Sequence, residues 1–136
     1  MRAMELDLDT FPVRADCPAT VEFYVALYRA LGERSALRPR DVDDVVLGCS
    51  TPRGELGANL ARVSAMYAGW GERASGVSVN RFCASGLAAL AIAASRVACG
   101  MADVVLAGGI EHPSRVPMMS DGGAWFEDRD VAKRTG

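Results

Sequence analysis

The run Leu87-Ala88-Ala89-Leu90-Ala91-Ile92-Ala93-Ala94 limits the possible folds of this chain more than any other stretch. It lies inside a helical segment read from Cys83 to Cys99 and closed by Gly100 in the position of a left-handed cap. Only Ser85, Ser95 and Arg96 interrupt the apolar surface. A helix on the outside of one sheet keeps a wet face, and this one has almost none. Its alanines also let neighbouring backbones approach closely. The helix therefore needs cover on both sides, and a single α/β layer of 136 residues covers one. A second copy or another chain is expected against it.

The rest of the chain alternates. Val21, Tyr24, Val25, Tyr28 and Leu31 recur at helical steps from Thr20, and Gly32 is expected to stop that helix. A strand buried on both faces is read at Val42–Cys49, a helix at Ala58–Trp70 and a strand at Val77–Val79. After the apolar helix comes a buried strand at Val104–Ala107, ended by Gly108-Gly109. The stretch through Val13 reads as a short strand or an extended arm. Helix and strand in alternation mean an α/β fold with a mostly parallel sheet, right-handed crossovers and helices on both faces. The pattern fails after Pro117, so residues 1–118 form the domain and 119–136 a loop or tail.

Composition narrows the function. Half the residues are hydrophobic, 24% are charged and the net charge is −2, which describes a globular chain. Fourteen arginines meet one lysine, and acids slightly outnumber bases, so neither nucleic acid nor an anionic membrane is an expected partner. No apolar run is long enough to span a bilayer, and the acidic N-terminus lacks the pattern of a signal peptide. A cytoplasmic setting with reduced thiols is expected. Cysteines stand at 17, 49, 83 and 99 with no C-x-x-C pair and one histidine in the chain, which argues against a zinc site or a disulfide framework.

Chemistry concentrates at Val79-Asn80-Arg81-Phe82-Cys83-Ala84-Ser85-Gly86-Leu87. A strand enters a short turn, and Cys83 falls where the turn becomes a helix. Unpaired N–H groups and the helix dipole favour an anion there, and the same groups can steady the oxyanion formed when a thioester is attacked. The plainer reading is a small buried hydrophobe, which also suits Cys49 and Cys99 at the ends of apolar elements. His112, the sole histidine, could in principle pair with Cys83 as a base, although a lone loop histidine is more often structural.

The segment Asn80–Leu87 resembles the nucleophile motif of the thiolases, the acetyl-CoA acetyltransferase and 3-ketoacyl-CoA thiolase family. A second block agrees, formed by Gly100, Asp103, Ala107-Gly108-Gly109-Ile110-Glu111, Ser114 and Val116-Pro117-Met118. A third is Val42–Gly48 followed by Gly57-Ala58-Asn59-Leu60-Ala61-Arg62. The resemblance covers roughly residues 20 to 118 and implies one half of a layered thiolase fold. It implies Cys83 as the nucleophile that accepts an acyl group, with its backbone N–H as one oxyanion donor. No tightly bound cofactor is implied; CoA or a carrier protein would deliver the thioester substrate for acyl transfer or Claisen condensation.

The family's catalytic histidines, its second cysteine and most of its CoA-binding loop lie beyond the matched region. The resemblance therefore implies a partner chain supplying that half, with or without homodimerisation. The alternative is a non-catalytic relative acting as a scaffold for a full-length partner. Residues 119–136 resemble the start of the family's inserted loop domain.

Overall fold

A computed structural model of the chain describes residues 20–135. The arm through Val13 and Cys17 lie outside the described residues. In chain order the elements are α1 (Thr20–Ser35), β1 (Asp44–Gly48), α2 (Leu60–Tyr67), β2 (Ser75–Val79), α3 (Ser85–Ala98), β3 (Val105–Gly109), α4 (Ala124–Glu127) and α5 (Arg129–Thr135). Single 3-10 turns stand at Pro39–Asp41 and Gly54–Leu56.

The three strands are parallel in the order β2-β1-β3. Asp44 pairs with Ser75 and Val105 at one end of the sheet, and Gly48 with Val79 and Gly109 at the other. The chain moves outward from β1 to β2, then back across β1 to β3. That reversal, under the right-handed crossover rule, puts α2 and α3 on opposite faces. Alternation along β1 serves both faces. Val45, Leu47 and Cys49 enter the core shared with α1 and α2, which includes Tyr24, Tyr28, Leu56, Leu60 and Trp70. Asp44 and Gly48 meet α3, through Arg96 and Ser85 respectively. The fold is the layered α/β arrangement with helices on both faces that the alternation implies.

Of the described strands only the central one is fully buried. β3, read as a buried strand, is a half-buried edge, and β2 is more open still. Gly108 and Gly109 continue β3 instead of ending it, since a parallel register carries them beside Leu47 and Gly48. Gly32 does not stop α1, which runs to Ser35. A Cβ at Gly32 would sit 3.2 Å from the Trp70 ring, so this glycine provides a close approach to the core. The helix ends where Ser35 Oγ donates to the Leu31 carbonyl and Ala36 turns to φ 56°.

α2 is shorter than the segment Ala58–Trp70. Ala58 and Asn59 both have positive φ and cannot start a helix, while Gly69 closes it at φ 77° with Trp70 N–H donating to the Ala65 carbonyl. The segment after Pro117, expected to be irregular, carries α4 and α5.

α3 packs its small residues, Ala88, Ala89 and Ala93, against the sheet. Its other side is bare: Leu87 is 70% exposed and Leu90 52%, with Ala91 and Ile92 beside them. The two-sided demand read in the sequence is therefore met on one side only among the described residues.

Candidate active site

Parallel strands place all their carboxyl ends on one edge, the usual location of binding sites in open α/β sheets. Here that edge is formed by Gly48, Val79 and Gly109. A Cβ at Gly48 would lie 2.3 Å from the Ser85 carbonyl carbon, so the first residue of α3 rests on bare backbone. Gly86 in turn lies 3.6 Å from the Cβ position of Gly109. Gly48 thus lets the start of α3 sit directly over the end of β1, with Gly86 in ordinary contact with the end of β3.

The turn between β2 and α3 presents Cys83, which is exposed. α3 begins two residues later than the Cys83 start read from the sequence, because Phe82 adopts φ 47° and interrupts the helical path. Two side chains hold this turn. Asn80 Oδ1 accepts from Phe82 N–H at 2.8 Å, and Asn80 Nδ2 donates to the Ser50 carbonyl at 3.1 Å. Ser85 Oγ accepts from Arg81 N–H at 2.9 Å and donates to the Phe82 carbonyl at 2.6 Å. The N–H groups of Ala84 and Ser85 donate to the carbonyls of Arg81 and Phe82. That of Cys83 donates to no acceptor among the described residues, and is free to serve a ligand oxygen.

Behind the turn, Glu111 accepts from the N–H groups of Ser50 and Thr51. Burial pushes the Glu111 carboxyl up, but hydrogen bonds from Ser50, Thr51 and Cys49 outweigh it and leave the group below its ordinary range. Cys49 is buried, and burial pushes its thiol up to about 11, with the Glu111 charge adding to the effect. It is an inert core thiol, as its place at the end of a buried strand suggested. Cys99, read as another buried hydrophobe, is exposed after the last turn of α3.

His112 does not pair with Cys83. Its Nδ1 lies 3.2 Å from Thr20 Oγ1, in a cluster where Glu55 accepts from Thr20 N–H and Oγ1–H, both at 3.0 Å, and from Arg115 Nε at 2.5 Å. Those bonds, the Thr20 N–H first and Arg115 second, hold the Glu55 carboxyl down to about 2. Among the described residues no group of three or more His, Cys, Asp or Glu is arranged to hold a metal ion.

Sequence reasoning named Cys83 and missed Asn80, Ser85 and Glu111 as its supports. Asn two residues ahead of Phe82 is a turn signal that could have been read. The Glu111 contact joins positions 60 residues apart and carries no local signal.

Comparison with known proteins agrees with this geometry. The thiolase N-terminal domain model matches residues 16–133. The chain is 44% identical over 86 residues to a 3-ketoacyl-CoA thiolase of Colwellia psychrerythraea, covering 63% of this chain and 22% of that protein. It is 39% identical over 107 residues to the 3-oxoadipyl-CoA/3-oxo-5,6-dehydrosuberyl-CoA thiolase of Escherichia coli, covering 79% and 26%. The crystal structure of the Bacillus anthracis acetyl-CoA acetyltransferase superposes with a TM-score of 0.65 at 35% identity, over 71% of this chain and 24% of that one. The chain thus spans about a quarter of the length of these relatives. With the Cys83 motif on its β2–α3 turn and its layered sheet, the chain belongs to the thiolase family, whose N-terminal domain it matches.

Proposed function

We propose that this chain carries the nucleophile of a thiolase-type acyltransferase. Cys83 Sγ attacks the carbonyl carbon of an acyl thioester, forming a new S–C bond while the carrier's C–S bond breaks. The proton lost by the Cys83 thiol ends on the departing carrier thiol. The oxygen that becomes negative on the way is met by the Cys83 N–H. The observation that carries this reading is the exposed thiol beside its own unengaged N–H, at the carboxyl edge of the sheet.

The relatives' names mention acyl-CoA substrates, which favours CoA over a carrier protein as the thioester carrier. Completion of the cycle, whether transfer to CoA or carbon–carbon bond formation, needs an acid/base that Cys83 has not found among its described neighbours. A partner chain bearing histidines and a second cysteine would supply it. The bare side of α3 is where cover is missing.

The test is incubation with acetyl-CoA followed by peptide mass mapping. An acetyl group on the Cys83 peptide, lost in Cys83→Ser with the fold unchanged, is the expected result. A chain that never acylates, even with a co-purified thiolase-like partner present, belongs to the scaffold reading instead.

A further inference from the structure

We propose that Asn80 is a positioning residue for Cys83, holding the turn that aims the Cys83 N–H through both ends of one side-chain amide. The inference rests on the reading of Cys83 as nucleophile.

The turn cannot be at rest by itself. Phe82, a bulky residue with a Cβ, sits at φ 47°, a conformation that costs about 1–2 kcal/mol and persists where surroundings impose it. Asn80 Oδ1 bonds Phe82 N–H and stabilises that conformation from within the turn. Asn80 Nδ2 fastens the same turn to Ser50, in the loop that follows β1. That loop is fixed in its own right, because the N–H groups of Ser50 and Thr51 are held by Glu111, just beyond β3. One amide therefore ties the turn after β2 to a frame built from the ends of β1 and β3. Ser85 braces the same turn internally, accepting from Arg81 N–H and donating to the Phe82 carbonyl, but gives it no tie to the β1 loop. Without Asn80, the turn loses its tie to Ser50 and the acceptor offered to Phe82 N–H, and it can shift against that frame, carrying the Cys83 N–H with it.

This separates two reactions of the same thiol. Acylation by acetyl-CoA develops a negative oxygen that needs the N–H in place, as the Cys83 S–C bond forms, the C–S bond to CoA breaks and the proton ends on CoA. Alkylation by iodoacetamide displaces iodide and develops no such oxygen.

The experiment compares both rates at Cys83, by peptide mass spectrometry, in the assembly in which the chain purifies. Cys99 is an exposed thiol control for reagent, and buried Cys49 reports unfolding. In Asn80→Ala, acylation should fall about 10- to 100-fold while alkylation of Cys83 stays within about twofold, the pattern of a misaimed oxyanion donor. Asn80→Ser keeps an acceptor for Phe82 N–H but is too short to reach Ser50, and should fall between. If Asn80→Ala exposes Cys49, the serine variant decides alone. Equal rates, or a parallel loss in both reactions, overturn the role of Asn80 and leave Cys83 as nucleophile. A wild-type chain that alkylates at Cys83 but is never acylated overturns the nucleophile reading, and the role of Asn80 with it.

Discussion

Gly48 carries more of the site than its size suggests. Any side chain there would drive into the Ser85–Gly86 peptide at 2.3–2.5 Å, which is backbone and cannot swing aside. Gly48→Ala should therefore destabilise the fold by about 1–3 kcal/mol, the range for overpacking, measured as a lower urea midpoint. Because Ser85 also holds the Cys83 turn, the same variant should lose Cys83 acylation. At Glu55 the consequence is pH dependence. Its carboxyl is held near 2 in the folded chain against an ordinary 4.5, so its contribution is complete above 4.5 and disappears as pH falls toward about 2. Glu55→Gln should flatten the fall of Tm across that interval; an unchanged slope would show that the Thr20–Glu55–Arg115 cluster adds nothing. Of these residues only Cys83 was legible as chemistry. Gly48 looked like the ordinary end of a strand, since its requirement comes from a helix that starts 37 positions later.

At the scale of elements, α3 is anchored to the sheet by a charge. Asp44, 2% exposed at the start of β1, accepts from Val45 N–H and Ser75 Oγ–H through Oδ1, and Oδ2 lies 2.7 Å from Arg96 Nη1. Removing the guanidinium leaves a buried carboxylate without its counter-charge. Arg96→Ala should cost about 1–3 kcal/mol, less than for a wholly buried pair because Arg96 is a third exposed. In an Asp44→Asn background, which keeps Oδ1 and removes the charge, most of that cost should vanish; additive losses in the double-mutant cycle would count against the pair. The sequence shows Arg96 as one interruption of an apolar helix, and the structure gives the reason. Between α1 and β3 the element types were read correctly from periodicity, whereas their ends were not, and the helices α4 and α5 were read as loop. α1 passes Gly32, α2 loses its first two residues to positive φ, and α3 starts late, at Ser85, after Phe82 turns to φ 47°. In each case a contact or a backbone conformation set elsewhere overrides the local pattern.

For the whole molecule, the deciding feature is the apolar side of α3. Leu87 and Leu90 are exposed, as is Phe82 in the turn that precedes the helix. Such a surface on a helix is covered in a stable assembly or drives association. Sedimentation should show the chain in a complex, with a partner or with itself, and Leu90→Asp should reduce it to the single chain without loss of α-helical signal. A wild-type chain that stays monomeric would remove the case for a covering layer. No helix among the described residues is long and apolar enough to cross a membrane.

The sequence alone determined the alternation of helix and strand, the parallel sheet and the family, and it singled out Cys83 as the candidate nucleophile. These follow from short-range pattern: periodicity is a property of neighbouring residues, and the motif around Cys83 is contiguous. Tertiary structure decided the rest. It chose which glycines are close contacts, made β2 and β3 the edges of the described sheet, assigned His112 to Thr20, and set Asn80 and Glu111 behind the Cys83 turn. Each depends on residues far apart in the chain meeting at the carboxyl edge of the sheet, and distance along the chain hides such meetings from any local pattern.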